Sequence, residues 1–333
     1  MKKIVVTGGA GYIGSHTIVE LEKNGFSPII IDNLSNSSIK NINGINKLTK
    51  KDIKFYNADC TDQKKIRNIF NIENNIVGVI HFAAFKSVEE SVKDPLKYYK
   101  NNINSLNSIL ENMKEFNIQN IIFSSSCTVY GDPEELPVLE KSPFNKATSP
   151  YAETKQKCEY ILQESNTNNI SLRYFNPIGS HSSSLIGDLS SDSPTNLIPI
   201  ITEVAIQKRK QLVIFGNDYN TADGSCIRDY IHVVDLAKSH VKALKFILNN
   251  SGTYAFNIGT GKGMSVFQAI KSFEEANNIK INIKIGKRRS GDIEKIYANA
   301  ELAKNHLKWS AEKTIKEAMI DAWKWEKQKN NHA

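Results

Sequence analysis

The chain has 333 residues, 40% hydrophobic and 23% charged, ordinary values for a globular protein with a sizeable core. Its formal charge of +8 comes from 43 Lys and Arg against 35 Asp and Glu, spread without a basic block, which argues against a nucleic-acid partner and mildly favours anionic ligands. The four cysteines form no Cys-x-x-Cys and none stands near a histidine at metal spacing, so neither a disulfide nor a metal site is expected; no apolar run is long enough for a membrane span, and the expected location is the cytoplasm.

Along the chain, residues 3–7 form a short β-branched run that ends in glycines, and 13–24 then carry helical periodicity. Further strands are expected at 28–31, 53–57, 76–81, 120–124 and 170–174, with helices at 62–71, 94–116 and 151–165. This alternation, with strands apolar on both faces, predicts a doubly wound α/β parallel sheet covered by helices. After about Asn176 the character changes. A serine- and glycine-containing loop spans 180–193, and shorter strands at 212–215, 229–234, 253–257 and 280–285 alternate with helices. The reading divides the chain into a dinucleotide-binding domain over 1–176, with 228–250 returning to it, and a smaller mixed α/β domain over 177–333.

The glycines Gly8, Gly11 and Gly14 stand directly between the first strand and the first helix. Glycine there lets the backbone turn tightly and approach a pyrophosphate, which the helix N-terminus faces. Asp32 ends the second strand at the distance expected for gripping an adenosine ribose, and its charge favours NAD over NADP. Asp59, after the third strand, is placed to receive the adenine amino group. His81, followed by Phe82, Ala83 and Ala84, ends the fourth strand; the small residues admit a cofactor, and the histidine reads as a packed residue rather than a catalyst.

Ser124, Ser125 and Ser126 close the fifth strand at the carboxyl edge, where open α/β sheets place ligands. On the next helix Tyr151 and Lys155 are four apart, hence on one face. A phenol titrates near ~10, so a tyrosinate base at neutral pH needs roughly 4 kcal/mol of preferential stabilisation. The Lys155 ammonium is expected to supply part of it and an oxidised nicotinamide ring more. A hydroxyl, a phenolate and a cation beside a nicotinamide suit oxidation of an alcohol.

With these stretches in place, the chain resembles the extended short-chain dehydrogenase/reductase family, and within it the 4-epimerases of UDP-sugars. The segments that carry the resemblance are Thr-Gly-Gly-Ala-Gly-Tyr-Ile-Gly-Ser-His, Asp32-Asn-Leu, His81-Phe-Ala-Ala, Phe-Ser-Ser-Ser-Cys-Thr-Val-Tyr-Gly-Asp and Ser-Pro-Tyr-Ala-Glu-Thr-Lys. Leu-Arg-Tyr-Phe-Asn176-Pro, Asn196-Leu-Ile-Pro, Ile-Arg228-Asp-Tyr and Arg288-Arg289-Ser-Gly-Asp292 follow in unbroken order, to about Trp325. The resemblance implies a Rossmann-type sheet with a smaller UDP-sugar domain, tightly held NAD, interconversion of UDP-glucose and UDP-galactose, and a homodimer joined through the helices around 94–116 and 151–165. It implies Tyr151 as the base for the sugar 4-hydroxyl, Lys155 as its activator and ribose ligand, and Ser126 as the proton-transfer partner. At the cofactor it adds Tyr12, Ile13, Asn33, Asn36, Ser37, Cys60, Phe82, Ala83, Ala84, Lys86, Asn101 and Phe175. Around the UDP it places Asn176, Asn196, Leu197, Phe215, Arg228, Arg289 and Asp292, the two arginines matching a pyrophosphate.

Two positions depart from the family pattern. Cys127 stands where alanine or threonine is usual, and no chemistry is expected of it. Ile296 occupies the position that helps set the sugar-pocket size; intermediate in bulk, it leaves turnover of N-acetylated UDP-sugars open. A nucleotide-sugar 4,6-dehydratase, the nearest rival, needs an acid and a base at the strand end, where this chain has Ser126-Cys127-Thr128. A non-catalytic NAD(P) sensor on the same fold is disfavoured by the presence of Tyr151, Lys155 and Ser126 together.

Overall fold

Val5, Val6, Ile29, Ile30, Ile31, Val79 and Ile80 are all buried, as strands covered on both faces require. The computed structural model describes residues 1–189, 194–289 and 291–331, so the last four residues of the expected 180–193 loop lie outside the described residues. Thirteen strands run through those residues: β1 (Lys3–Thr7), β2 (Ser27–Asp32), β3 (Lys54–Asn57), β4 (Ile76–His81), β5 (Asn120–Ser126), β6 (Asn168–Tyr174), β7 (Asn176–Ile178), β8 (Leu212–Phe215), β9 (Ile227–His232), β10 (Thr253–Ile258), β11 (Gly263–Ser265), β12 (Ile283–Gly286) and β13 (Lys295–Ile296).

Seven of them form one parallel sheet in the order β10-β6-β5-β4-β1-β2-β3. The protein is therefore a doubly wound α/β fold of Rossmann type. The chain runs outward from β1 to β3, then restarts on the other side with β4, so the strand order reverses between β1 and β4 and a crevice opens at their carboxyl ends. One apolar cluster fills each face: Ile4, Val6, Ile30 and Ile80 with the helices Tyr12–Lys23 and Val233–Ile247 on one side, Val5, Ile31, Val79 and Ile121 with Asn104–Glu115 on the other.

The smaller part carries β7, β9, β11 and β13 in one sheet and β8 with β12 in another, around a core that includes Ile198, Ile201, Ile214, Phe273 and Met319. Three expectations are corrected here. The 253–257 strand, read as part of the smaller domain, is β10, the edge strand of the large sheet beside β6. Within 228–250, read as returning to the large domain, β9 lies in the small sheet, and it is the helix Val233–Ile247 that packs on the helix Tyr12–Lys23. The 94–116 stretch is not one helix: Pro95–Tyr98 and Asn104–Glu115 are joined by a π-helical turn, Tyr99–Ile103. That turn is held by Asn102, whose Oδ1 accepts from Phe85 N at 2.9 Å and whose Nδ2 donates to Phe85 O and Thr154 Oγ1, both at 3.1 Å. Among the described residues no helix is long and apolar enough to cross a membrane.

Candidate active site

At the reversal point Gly8 has φ +67, and a Cβ there would lie 2.9 Å from Ala83 N on the neighbouring β4 side. A Cβ on Gly14 would lie 2.3 Å from Gly8 O, so both positions require glycine for close approach. Gly11 caps the helix Tyr12–Lys23 with no side-chain bond to its first amides, which leaves them facing the crevice for an anion. Asp32 fastens this turn: Oδ2 accepts from Ala10 N at 3.0 Å, and Oδ1 from Leu34 N at 2.9 Å and Ser37 Oγ at 2.8 Å. Asp59 accepts from Asn33 Nδ2 at 2.8 Å and from Thr61 N and Oγ1 at 2.8 and 2.7 Å.

All of the residues expected to touch the cofactor line one cleft of about 310 Å³ that starts at this turn and ends at Ser126, Tyr151 and Lys155. The π-helical turn brings Asn101 to its wall. His81 is buried, hydrogen-bonded through Nδ1 to Thr7 Oγ1 at 2.8 Å, and pushed down to about 3 by burial and then by Lys155, which keeps it neutral. Tyr174 is a lining residue that the sequence reading gave only as the end of the 170–174 strand. Its hydroxyl is hydrogen-bonded to Ser124 Oγ, and β-pairing sets it beside Ser126, which was the available signal.

At the chemical end, Ser126 finishes β5 and accepts from Thr128 N at 3.2 Å. Tyr151 sits in the first turn of the helix Pro150–Glu164, started by Pro150 and capped by Ser149 Oγ on Ala152 N at 3.2 Å. Lys155 is 4% exposed; its Nζ donates to Ser124 O at 2.6 Å and lies 4.7 Å from the Phe123 ring centre and 5.9 Å from that of Tyr151. Burial acts in opposite directions on the Tyr151 phenol and the Lys155 ammonium. Burial pushes the Tyr151 phenol up to about 12, and what draws it back is the hydrogen bond with Ser126. Burial pushes Lys155 down to about 8, against the pull of Cys158 and Glu159. The ammonium is committed to a backbone carbonyl, and both groups are short of solvent.

A second cleft, of about 790 Å³, joins the first along Cys127, Thr128, Asn176, Pro177 and Asn196. Asn176, Asn196, Arg228, Arg289, Asp292 and Ile296 line it. Leu197 and Phe215 line neither cleft. Leu197 opens the helix Leu197–Ala205 and packs on the smaller core, and Phe215 is exposed on β8 with the Arg289 guanidinium 5.4 Å over its ring. Arg289 pairs with Asp292 at 2.7 Å. Ile296 is 2% exposed, pairs with Arg228 in the β9–β13 ladder and packs with Cys127, Val129 and Phe175. Burial pushes the Cys127 thiol up to about 12, in keeping with an inert neighbour. Among the described residues the only carboxylates on the smaller cleft are Asp32 and Asp59, both at its glycine-turn end.

A family model described as GDP-mannose 4,6 dehydratase matches residues 5–322. The chain is 47% identical over 328 residues to a UDP-glucose 4-epimerase of Bacillus subtilis, covering 97% of this chain and 96% of that one. Among solved structures it superposes with TM-score 0.97 and 39% identity on a UDP-glucose-4-epimerase from Stenotrophomonas maltophila with bound NAD and formylated UDP-arabinopyranose, covering 100% of both chains. The same holds for UDP-glucose 4-epimerase from Bifidobacterium longum in complex with NAD+ and UDP, with TM-score 0.96, 41% identity and 100% coverage of both.

Proposed function

The chain belongs to the family that the dehydratase model describes and, within it, to the UDP-glucose 4-epimerases, and on that premise we propose how its two clefts divide the work. The activity is the NAD-dependent interconversion of UDP-glucose and UDP-galactose. The smaller cleft takes the dinucleotide: the glycine turn, which a Cβ at Gly8 or Gly14 would fill, admits a pyrophosphate, and Asp32 and Asp59 receive the adenosine. The larger cleft takes the UDP-sugar, with Arg228 and Arg289 against its pyrophosphate and Asn176, Asn196 and Asp292 on its polar groups. Leu197 reaches the nucleotide through its helix-terminal amide, and Phe215 through the Arg289 that stacks on it.

The observation that carries this reading is the meeting of Tyr151, Ser126 and Lys155 in the smaller cleft, beside Cys127 and Thr128, where the larger cleft joins it. Tyr151 takes the proton of the sugar 4-hydroxyl, and Ser126, which lines the same cleft and draws the phenol's titration down, shares it. Lys155, fixed by Ser124 O, presents its remaining donors to the nicotinamide ribose. Bound NAD accepts the hydride from sugar C4 and returns it to the opposite face, so no second redox partner is consumed. Dehydration is not favoured, because the strand end offers no carboxylate to abstract or deliver the second proton. A wider range that includes N-acetylated sugars is likewise not favoured by the relatives' names.

A homodimer and a cytoplasmic location complete the proposal. Leu96 at 68% and Tyr160 at 50% exposure lie on the two helical stretches implicated in dimerisation, and sedimentation equilibrium tests the pairing. The activity is tested with purified protein, UDP-galactose and no added oxidant: UDP-glucose should form without accumulation of NADH. Accumulating NADH, with no UDP-glucose, overturns the reading.

A further inference from the structure

Behind the strand end that carries Ser126 lies a buried polar cluster that lines neither cleft. Arg173 on β6 is 4% exposed and Glu159 on the helix Pro150–Glu164 is 2% exposed. Arg173 Nη2 donates to Glu159 Oε2 at 2.6 Å, and Nε reaches both carboxylate oxygens at 3.0 and 3.1 Å. Ser125, the residue before Ser126, donates its hydroxyl to Glu159 Oε1. On the other side Arg173 Nη1 donates to Glu140 O at 2.8 Å and to Tyr130 Oη at 3.1 Å.

The cluster ties together three pieces of chain. One is the end of β5 with Ser126. The second is the helix with Tyr151 and Lys155; Glu159 follows them by eight and four positions, on the same face. The third is the loop after Ser126. Its Val138 donates its N–H to Tyr297 O at 3.0 Å and accepts from Asn299 N at 2.8 Å, which bonds the loop to the segment that bears Ile296.

Such a pair is a costly way to fill space. Removing two charges from water carries a penalty, and well-packed apolar residues of similar volume commonly stabilise as much or more. What apolar packing lacks is direction: the carboxylate accepts Ser125 and Arg173 along defined lines, and proton transfer between positioned groups tolerates little misplacement. We propose that Glu159 and Arg173 are positioning residues for the reaction, locking Ser125 so that Ser126 stays within proton-transfer reach of Tyr151. This rests on the reading of Tyr151 and Ser126 as the proton-transfer pair.

Ser125→Ala removes one hydroxyl from the link and leaves the ion pair intact; Ser125→Thr keeps the hydroxyl; Glu159→Leu with Arg173→Met replaces the pair by apolar bulk. Each is assayed well below its own melting temperature for kcat and KM on UDP-galactose, for UDP affinity and for NAD content. The expected result for Ser125→Ala and the apolar pair is kcat lowered about tenfold or more, with KM, UDP affinity and NAD content near wild type, and most of kcat restored in Ser125→Thr. Wild-type kcat in Ser125→Ala, or a loss that only tracks melting temperature or NAD content, overturns the proposal. Should the apolar pair fail to fold, the two Ser125 variants decide it. Tyr151→Phe, run in parallel, separates the two readings: surviving turnover there removes the proton-transfer assignment itself, whereas an inactive Tyr151→Phe beside a fully active Ser125→Ala removes the positioning role alone.

Discussion

Burial pushes the Tyr151 phenol up to about 12, which keeps it protonated at neutral pH, while Lys155 is held on Ser124 O. The stabilisation a phenolate needs must arrive with charge brought into the cleft, and an oxidised nicotinamide is positive where a reduced one is neutral. Ultraviolet difference titration should therefore find at least about a hundredfold more phenolate at a given pH in the NAD⁺ form than in the NADH form, with the difference absent in Tyr151→Phe; identical titrations in both forms would remove the electrostatic argument. Turnover in Tyr151→Phe should fall by about 10² or more while NAD content holds. The identities of Tyr151, Lys155 and Ser126 were legible because spacing on a helix and position at a strand end survive in one dimension. Their protonation was not, because desolvation depends on what the rest of the chain packs over them. Ile296 shows the same division. Its place at the sugar pocket came from the resemblance, and only the structure shows it wedged among Cys127, Val129 and Phe175. A tyrosine there cannot fit that cluster without strain of about 1–3 kcal/mol and should project into the larger cleft. Ile296→Tyr is expected to lower turnover of UDP-N-acetylgalactosamine more than that of UDP-galactose, and equal losses on both sugars would end its gating role.

At the scale of elements, the glycine turn was readable because each glycine answers a local steric demand. The demands are unequal. A Cβ on Gly14 meets Gly8 O at 2.3 Å and Gly9 Cα at 2.8 Å, all backbone, whereas one on Gly11 meets Gly8 O at 3.1 Å and nothing else within 4 Å. Gly14→Ala must therefore push the helix Tyr12–Lys23 off the turn that cradles the pyrophosphate, while Gly11→Ala asks for a few tenths of an ångström. NAD retained through gel filtration should drop at least about tenfold in affinity for Gly14→Ala and far less for Gly11→Ala; the reverse order would mean that the turn does not set the cofactor grip. The π-helical turn Tyr99–Ile103 was not readable. One extra residue in a turn leaves the apolar pattern on both sides helical, and its cause, the bonds from Asn102 to Phe85 and Thr154, joins segments remote in sequence. Yet that turn places Asn101 on the cofactor cleft.

Over the whole molecule, β–α alternation and apolar strands were enough for the parallel sheet, since both follow from covering a sheet on two faces. The edge position of β10 escaped because its partner β6 precedes it by a whole intervening lobe, and a short strand carries no mark of which sheet it joins. The same burial that makes the core leaves a signature in acid. His16, His81 and His240 are at most 2% exposed, and burial pushes them down to about 3, 3 and 4. In the unfolded chain a histidine titrates near ~6.5. Each folded value is depressed, so the stability these residues contribute is fully present above about pH 6.5 and is lost as the pH falls toward the folded values, because the unfolded chain takes up the protons first. Between roughly pH 6 and pH 5 the unfolded chain binds most of three protons and the fold almost none, giving a loss of about 3–4 kcal/mol over that pH unit, above the range where most carboxylates protonate. Urea unfolding followed from pH 7 to pH 5 should show this slope, with uptake of close to three protons from these residues, and His240→Gln should reduce the uptake by about one. A stability flat with pH across that window would mean that the three imidazoles are not buried neutral, and that the core on both faces of the sheet is wetter than the structure shows.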